Sequence, residues 1–358
     1  MKIVVLAGGI SPERDVSLSS GKGIYQALKE KGHQVILLDV FLGLADSLEP
    51  SEALFDREID WSASVREVAE KAPDLSQIRS LRPDSSSLIG PGVLELCSLC
   101  DIVFLGLHGA NGEDGRIQAL FDLMGIRYTG TGHTSSAICM DKHITKQMFR
   151  GFGIPTPPAI ILRKGESFEL PREIGFPCMV KTCCGGSSVG VYRVENVFDL
   201  EKTLEKAFAL EDRVLIERCV IGREFSIAVV EGRALPVIEI APLLGFYDYK
   251  NKYQPGSAVE TCPADIPPNL SARMQRHAEA ACAAVGIEGY ARVDFMLDER
   301  SGEDYALEVN TLPGMTPASL LPQEAEALGM SYADLCEWIL RVSLKKYEQE
   351  AEKGNGPA

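Results

Sequence analysis

Ala291-Arg292-Val293-Asp294-Phe295 and Leu307-Glu308-Val309-Asn310 flank the turn-like Asp298-Glu299-Arg300-Ser301-Gly302-Glu303-Asp304, and the two runs read as an antiparallel hairpin. With a three-residue loop of Arg300, Ser301 and Gly302, the glycine taking a positive φ, Asp294 faces Glu308 and Arg292 faces Asn310. Side chains alternate with period two, so these four share one face. Phe295, Leu297, Leu307 and Val309 fill the other. Two carboxylates, an amide and a guanidinium make a poor apolar core and a good site for a hard cation. Mg2+ takes oxygen ligands and is usually held by one or two carboxylates plus substrate phosphates. The competing reading is a solvated outer face, which the same alternation permits.

Three further segments carry chemistry. Lys181-Thr182-Cys183-Cys184-Gly185-Gly186-Ser187-Ser188-Val189-Gly190 sets a lysine at a strand end ahead of a Gly/Ser loop, whose backbone N–H groups suit phosphate oxygens. It is neither a Walker A loop nor GxGxxG, and a tight hairpin explains it as well. Ile216-Glu217-Arg218-Cys219-Val220 and Gly222-Arg223-Glu224-Phe225 place acidic residues around a short turn. Backbone groups after Glu217 suit an adenine and Glu224 a ribose, although an ordinary charged connection looks the same. Phe246-Tyr247-Asp248-Tyr249-Lys250-Asn251-Lys252-Tyr253 suits a lid over an anionic substrate, or plain surface packing.

Outward from these segments the chain reads as α/β followed by α+β. Residues 2–7 form a continuous apolar run of the buried parallel-strand kind, residues 15–31 carry helical spacing, and residues 34–40 give a second strand. Residues 43–92 change texture to Ser, Pro, Asp and Glu, with a short helix expected over 61–71, and read as a surface insertion. A helix over 94–100 and a strand over 101–107 follow. Strands are expected at 177–181, 214–217, 224–230, 236–240, 291–297 and 305–309, with helices over 270–285 and 332–346. The polar tail, 348–358, reads as disordered.

Composition sets outer bounds. At 358 residues the expectation is two or three domains. Lys and Arg number 36 against 51 Asp and Glu, a net charge of −15, which argues against a chain that coats nucleic acid or an anionic membrane. The opening apolar run is too short for a signal sequence, and no stretch approaches a membrane span. Ten cysteines then fit reduced thiols in a cytoplasm, and the Cys97/Cys100 spacing lacks a second ligand pair for zinc.

Taken together and in order, the motifs resemble the D-alanine–D-alanine ligases of the ATP-grasp superfamily. The resemblance runs from Met1 to about Tyr347. It rests on Gly8-Gly9 with Ser11-Pro12-Glu13-Arg14-Asp15-Val16-Ser17, His108-Gly109 with Gly112-Glu113-Asp114-Gly115, Tyr128-Thr129-Gly130 and Met140-Asp141-Lys142. Further along it rests on Ser187-Ser188, the tyrosine-rich segment, Arg292-Val293-Asp294, and Glu308-Val309-Asn310-Thr311-Leu312-Pro313-Gly314-Met315-Thr316 with Ser319-Leu320. It implies a Rossmann-like N-terminal domain (1–130), then a two-part ATP-grasp fold (131–217 and 218–347). The implied reaction is ATP-dependent ligation of two D-alanines through a D-alanyl phosphate, for peptidoglycan precursor synthesis, by a cytoplasmic homodimer.

Residue by residue, the resemblance implies Asp294, Glu308 and Asn310 as ligands of two Mg2+, or of Mn2+ in their place. Lys142 and Lys181 neutralise ATP phosphates, with Ser187 and Ser188 in the phosphate loop. Glu217, Arg218, Cys219 and Val220 seat adenine, and Glu224 the ribose. Glu13 binds the first D-alanine ammonium, with Ser187, Tyr253 and His108 close by. Arg292 stabilises the oxyanion and the transferring phosphoryl group, as its fixed fork of donors suits. Lys252, Ser319 and Leu320 fix the second D-alanine, and the Gly314 backbone serves the oxyanion.

Thr182-Cys183-Cys184 departs from the family's proline-led run, which suggests a softer, oxidation-sensitive phosphate loop. Relatives that take D-lactate or D-serine as acceptor are the nearest alternative. A silent nucleotide-binding protein is disfavoured by the intact metal face. A nicotinamide dehydrogenase is disfavoured by the lack of GxGxxG.

Overall fold

The computed structural model describes residues 1–66, 68, 73–83, 86–186, 190–242 and 258–354. The first unit runs β1 (Lys2–Ala7), α1 (Arg14–Glu30), β2 (Gln34–Asp39), α2 (Leu75–Ser80), α3 (Val93–Leu99), β3 (Ile102–Leu105), α4 (Arg116–Met124) and α5 (His133–Met140). The second has α6 (Lys142–Gly151), β4 (Ala159–Arg163), β5 (Cys178–Thr182), β6 (Val191–Val194), α7 (Val197–Phe208) and β7 (Arg213–Arg218). The third has β8 (Gly222–Val230), β9 (Arg233–Ala234), β10 (Ile238–Pro242), β11 (Ala258–Thr261), α8 (Pro268–Ala284), β12 (Tyr290–Asp298), β13 (Asp304–Asn310), α9 (Leu320–Glu326) and α10 (Tyr332–Gly354).

Five of the six β1 residues are buried, which is why its run is unbroken by polar side chains. β1 lies parallel between β2 and β3, with Val4 beside Ile36 and Val103. Helix α1 crosses over the sheet and buries Val16, Ile24 and Leu28, a helical stripe at 3.6-residue spacing. The core beneath also takes Leu335, Ile339 and Leu340 from α10, so both ends of the chain build it. Lys31–Asp334 (2.5 Å) and His33–Glu337 (2.7 Å) tie the same elements at the rim.

The second unit is an antiparallel sheet in the order β4-β7-β5-β6, covered by α7 through Leu200, Leu204 and Ala207. Asn196 starts α7 by accepting from the Phe198 and Asp199 amides, the usual work of an N-cap. The third sheet runs β11-β10-β8-β12-β13, with β9 paired to β8. Its inner face packs Phe225, Ile227, Phe295 and Val309 against Met274, Ala278 and Ala281 of α8.

Four expectations need correction. Residues 61–64 are turn and 65, 66 and 68 carry no helix; the rest of the expected 61–71 helix lies outside the described residues. The tail is helical as far as Gly354, because Glu, Gln, Ala and Lys dominate it and are strong helix formers. The hairpin loop has four residues, Glu299 to Gly302, since Leu297 pairs with Asp304. Finally, a β-bulge after Asp294 leaves Leu307 half-buried, and Ala306 takes its expected place in the core. The bulge restores the expected pairs at the far end: Asp294 opposite Glu308, Arg292 opposite Asn310.

Candidate active site

Strand β12 lies between β8 and β13, and the polar face it shares with β13 lines a cavity through Arg292, Glu308 and Asn310 and is not an open hairpin surface. Asp294 is 7% exposed. Arg292, two residues earlier on the same face, grips it with both arms, Nε–Oδ1 and Nη2–Oδ2 each at 2.8 Å. Asn310 Nδ2 donates to Oδ2 at 2.9 Å, and Ser226 Oγ, directly across from Asp294 on β8, donates to Oδ1 at 2.8 Å. Such charge-assisted bonds fix the carboxylate's direction. Among the described residues no three or more His, Cys, Asp or Glu side chains gather as a metal cluster. The oxygen donors on this face are Asp294, Glu308 and Asn310.

Lys142 is the first residue of α6, held there by Asp141, which caps the helix through the His143 and Ile144 amides and also binds Arg213 at 2.6 Å. The Lys142 ammonium donates to Gly185 O (2.6 Å) and pairs with Glu308 Oε2 (3.3 Å), joining the 183–186 loop to β13. Deeper between the two antiparallel sheets, Glu217 is 1% exposed and sits between two lysines, Lys181 and Lys146. Burial opposes the Glu217 charge, yet the two ammonium groups hold its carboxyl down at about 2. Burial likewise opposes the charge of Lys181, but Glu217, Glu308 and Glu224 together raise it above the ordinary lysine value. Lys146 bonds Thr156 Oγ1 and Glu217, both at 2.7 Å, and its burial outweighs them, so it is lowered.

The first unit contributes from the ends of β1 and β3. Glu13 caps the entry to α1, and its carboxylate lies against two glycines: a Cβ on Gly109 would come 2.8 Å from Oε2, and one on Gly186 3.1 Å. Gly109 has φ +73°, so both conformation and space call for glycine there. His108 is buried, with Nδ1 3.0 Å from Leu312 O and Nε2 3.1 Å from Ser20 Oγ. A carbonyl can only accept, so Nδ1 carries the proton and Nε2 accepts from the serine. Burial lowers the ring below its ordinary value, against the pull of Glu13. Both nitrogens are committed, so His108 ties β3 to the 312–315 segment.

Glu113 accepts from Gly109 N (2.6 Å) and Leu312 N (3.4 Å); burial first, then Glu13, push its carboxyl up to about 8. At the other end Ser319 immediately precedes α9, and its Oγ is turned back to Thr316, with Thr316 N and Oγ1 at 3.1 and 2.8 Å. A Cβ on Gly314 would meet that hydroxyl at 2.9 Å.

One cavity of about 910 Å³ collects Glu13, His108, Lys142, Arg292, Glu308, Asn310, Gly314, Ser319 and Leu320 from all three units. Lys181, Glu217 and Glu224 do not line it; Lys181 lies within electrostatic reach of Glu217, Glu224 and Glu308, and Glu308 does line it. Arg218 stacks on Tyr305 (4.7 Å to the ring centroid), Cys219 is half-buried and Val220 buried at the following turn. Ser187, Ser188, Lys252 and Tyr253, with the rest of segment 246–253, lie outside the described residues. Sequence reasoning passed over Lys146, one helical turn after Lys142, and gave Glu113 no role although its motif was in view. Cys183 is fully buried and Cys184 exposed; burial, with Glu211 and Asp141 adding to it, pushes their thiols up to about 12 and about 11. That disfavours the thiolate that oxidation needs, against the expected sensitivity.

Family comparison agrees with the geometry. Residues 2–131 match the D-ala D-ala ligase N-terminus model and residues 148–341 the D-ala D-ala ligase C-terminus model. A Pediococcus pentosaceus protein named D-alanine–D-alanine ligase is 41% identical over 98% of this chain and 99% of its own length. Its Geobacter sulfurreducens namesake is 39% identical over 95% and 93%. The crystal structure of the Bacillus anthracis D-alanine–D-alanine ligase complexed with ATP superposes with a TM-score of 0.73 at 30% identity, covering 98% of this chain and 99% of that one. Matched along nearly its whole length in sequence and in fold, the chain belongs to the D-alanine–D-alanine ligase family.

Proposed function

We infer that this chain uses ATP to join two D-alanine molecules into D-alanyl-D-alanine, releasing ADP and phosphate. The observation that carries the reading is one cavity lined by Glu13, Lys142, Arg292, Glu308, Asn310 and Ser319, with Asp294 bonded to Arg292 and paired opposite Glu308. A carboxylate oxygen of the first D-alanine takes the γ-phosphoryl group and ADP leaves. The amine of the second then attacks the activated carbonyl carbon, loses a proton and expels phosphate. Such chemistry is mostly positioning and electrostatics.

The oxygen donors fit Mg2+, which is content with one or two carboxylates when phosphates complete its shell. Asp294, Glu308 and Asn310 would hold two such ions, or Mn2+. Bound there, the metal neutralises phosphate charge and orients the γ-phosphoryl group. Lys142 and Lys181 add positive charge to the phosphates, Lys142 beside the 183–186 loop. Glu217 to Val220 and Glu224 border the adenosine. Arg292, now paired with Asp294, carries the fork of donors that would serve the transferring group and the oxyanion, together with the Gly314 backbone. Glu13 takes the first ammonium, and His108 holds the 312–315 segment in place. Ser319, Leu320 and Lys252 take the second carboxylate, and Ser187 and Tyr253, outside the described residues, keep the role the family resemblance implies beside Glu13.

The division at residues 130 and 217, the homodimer and the cytoplasmic location are part of this proposal and rest on the family resemblance. Among the described residues no helix is long and apolar enough to cross a membrane. Phosphate release is expected with ATP, Mg2+ and D-alanine, and not with L-alanine or without the metal. No D-specific, Mg2+-dependent turnover would sink the reading, and a depsipeptide product in the presence of D-lactate would shift it to the acceptor-variant ligases.

A further inference from the structure

Behind the Arg292–Asp294 pair lies a carboxyl that the proposed chemistry does not use. Glu324, in the middle of α9, is 0% exposed. Its Oε2 accepts the Ala228 amide at 2.6 Å, and its equally buried Oε1 meets no hydrogen-bond partner among the described residues.

The reason Ala228 needs this acceptor is legible in the sheet. β10 pairs with β8 only from Ile240–Glu224 to Ile238–Ser226, and β9 takes over at Ala234–Val229. Continued by that register, the ladder would set Pro236 opposite Ala228, where the chain has left the strand. Leu235 N still reaches Ala228 O at 2.8 Å, but the Ala228 N–H is left for Glu324. On its other side Ala228 is paired directly with Arg292. The same helix presents Ser319 and Leu320 to the cavity and is held at its outer edge by Gln323, which bonds Glu260 of β11 and Ala318 O.

We propose that Glu324 is a positioning residue that clamps α9 onto β8 and so fixes Ser319 and Leu320, at the second-substrate end of the cavity, relative to Arg292. Alongside the buried Leu321 and Ala325, two polar side chains, Gln323 and Glu324, orient a seven-residue helix too short to hold its own direction. Burial raises the Glu324 carboxyl well above the usual range and so favours its neutral form, with Oε2 as the acceptor of the Ala228 amide. A glutamine reproduces that shape and keeps an acceptor; a leucine leaves a buried amide without a partner.

This inference rests on the ligase reading above. The test compares wild type with Glu324→Gln and Glu324→Leu in D-alanine saturation, where the two substrate sites separate, and in ATP saturation. The leucine variant should raise the KM for the second D-alanine about tenfold while the ATP KM stays within about twofold, and the glutamine variant should follow wild type in both. Should Glu324→Leu not fold, Glu324→Ala carries the same comparison. In addition, the Ala228 amide should exchange slowly with deuterium in wild type and in Glu324→Gln, and faster in Glu324→Ala. An unchanged second-site KM in the leucine or alanine variant, or a glutamine variant as impaired as leucine, overturns the proposal, as does an Ala228 amide that exchanges no faster in Glu324→Ala. Wild-type protein that makes no dipeptide counts against the ligase reading instead. The exchange measurement, which needs no turnover, then still decides the clamp.

Discussion

Replacing Glu217 by glutamine removes the anion between two buried lysines and leaves them unequal. Lys181 keeps Glu308 and Glu224 within electrostatic reach and stays charged. Lys146, 2% exposed, keeps only the Thr156 hydroxyl, the Pro157 carbonyl and the new amide, so it tends to lose its proton instead of sitting charged in a dry site. Deprotonating a lysine at pH 7 costs at most about 5 kcal/mol, from ~1.4 kcal/mol per pH unit below its ordinary value near 10.5. With the remaining hydrogen bonds to offset part of that, Glu217→Gln should lose about 3 kcal/mol at pH 7, at the low end for breaking a buried ion pair.

The sign of the pH dependence follows from proton counting. In the variant, the unfolded chain holds one more proton than the native chain between Lys146's depressed value and its ordinary one. Stability relative to wild type therefore recovers as pH rises, by up to ~1.4 kcal/mol per unit. Urea denaturation of both proteins at pH 7, 8 and 9 reads this directly. A penalty that does not shrink with pH, or one below about 1 kcal/mol at pH 7, refutes the argument. Adding Lys146→Met to Glu217→Gln removes the stranded charge and should recover most of the loss at every pH.

Glu113→Gln should match wild-type turnover at pH 7 within a few-fold. The wild-type group, raised to about 8, contributes stability that is full below its unfolded value and fades as pH climbs towards 8; that slope should vanish in the variant's melting curves between pH 5 and 8. Asp304 is 0% exposed, bonded to Arg273 (2.7 Å) and His277 (2.6 Å), which hold its carboxyl below the ordinary value despite burial. Asp304→Asn should therefore cost about 2–4 kcal/mol at pH 7, with the gap in melting temperature narrowing only as pH falls below about 4, towards the depressed value at which native Asp304 takes up its proton. Gly109→Ala should raise the KM for the first D-alanine about tenfold, because the new methyl meets the Glu13 carboxylate; unchanged KM would place that carboxylate elsewhere. Arg292→Ala should tighten Mn2+ binding without nucleotide by about tenfold or more, since it frees Asp294 and removes a cation; titration calorimetry showing equal affinity would deny the pairing that role.

What the sequence made legible was what repeats with a simple period. The polar face shared by Arg292, Asp294, Glu308 and Asn310 was readable because alternation in a strand ignores what lies beyond it. Its pairing came out right through two offsetting departures: the loop is one residue longer than expected, and the Leu307 bulge adds one back before the site. Nothing in the local composition announces that bulge, whose effect is to move Leu307 half out of the core. Glu324 was illegible for a different reason. A glutamate in a short helix reads as solvent-facing, and only the tertiary gap left at Pro236 makes it an internal acceptor. Lys146 lay one turn from Lys142 and should have been weighed, but its partner Glu217 comes from a strand 71 positions away, and helix periodicity carries no information about that.

The charges of the cleft give the net −15 a more specific meaning. Each described cation there already has a carboxylate: Lys142 has Glu308, Lys146 and Lys181 share Glu217, and Arg292 has Asp294. A basic hollow waiting for phosphate would repel itself and attract any anion. A cleft of neutralised pairs stays folded without ligand and binds an anion only by exchanging partners. Glu308 and Asp294, the carboxylates beside Lys142 and Arg292, are also the oxygen donors suited to Mg2+. Under the proposed function, Mg2+ bound with the nucleotide would take those carboxylates and leave Lys142 and Arg292 to the phosphates. The acidic chain would then favour the two ligands together over either one alone.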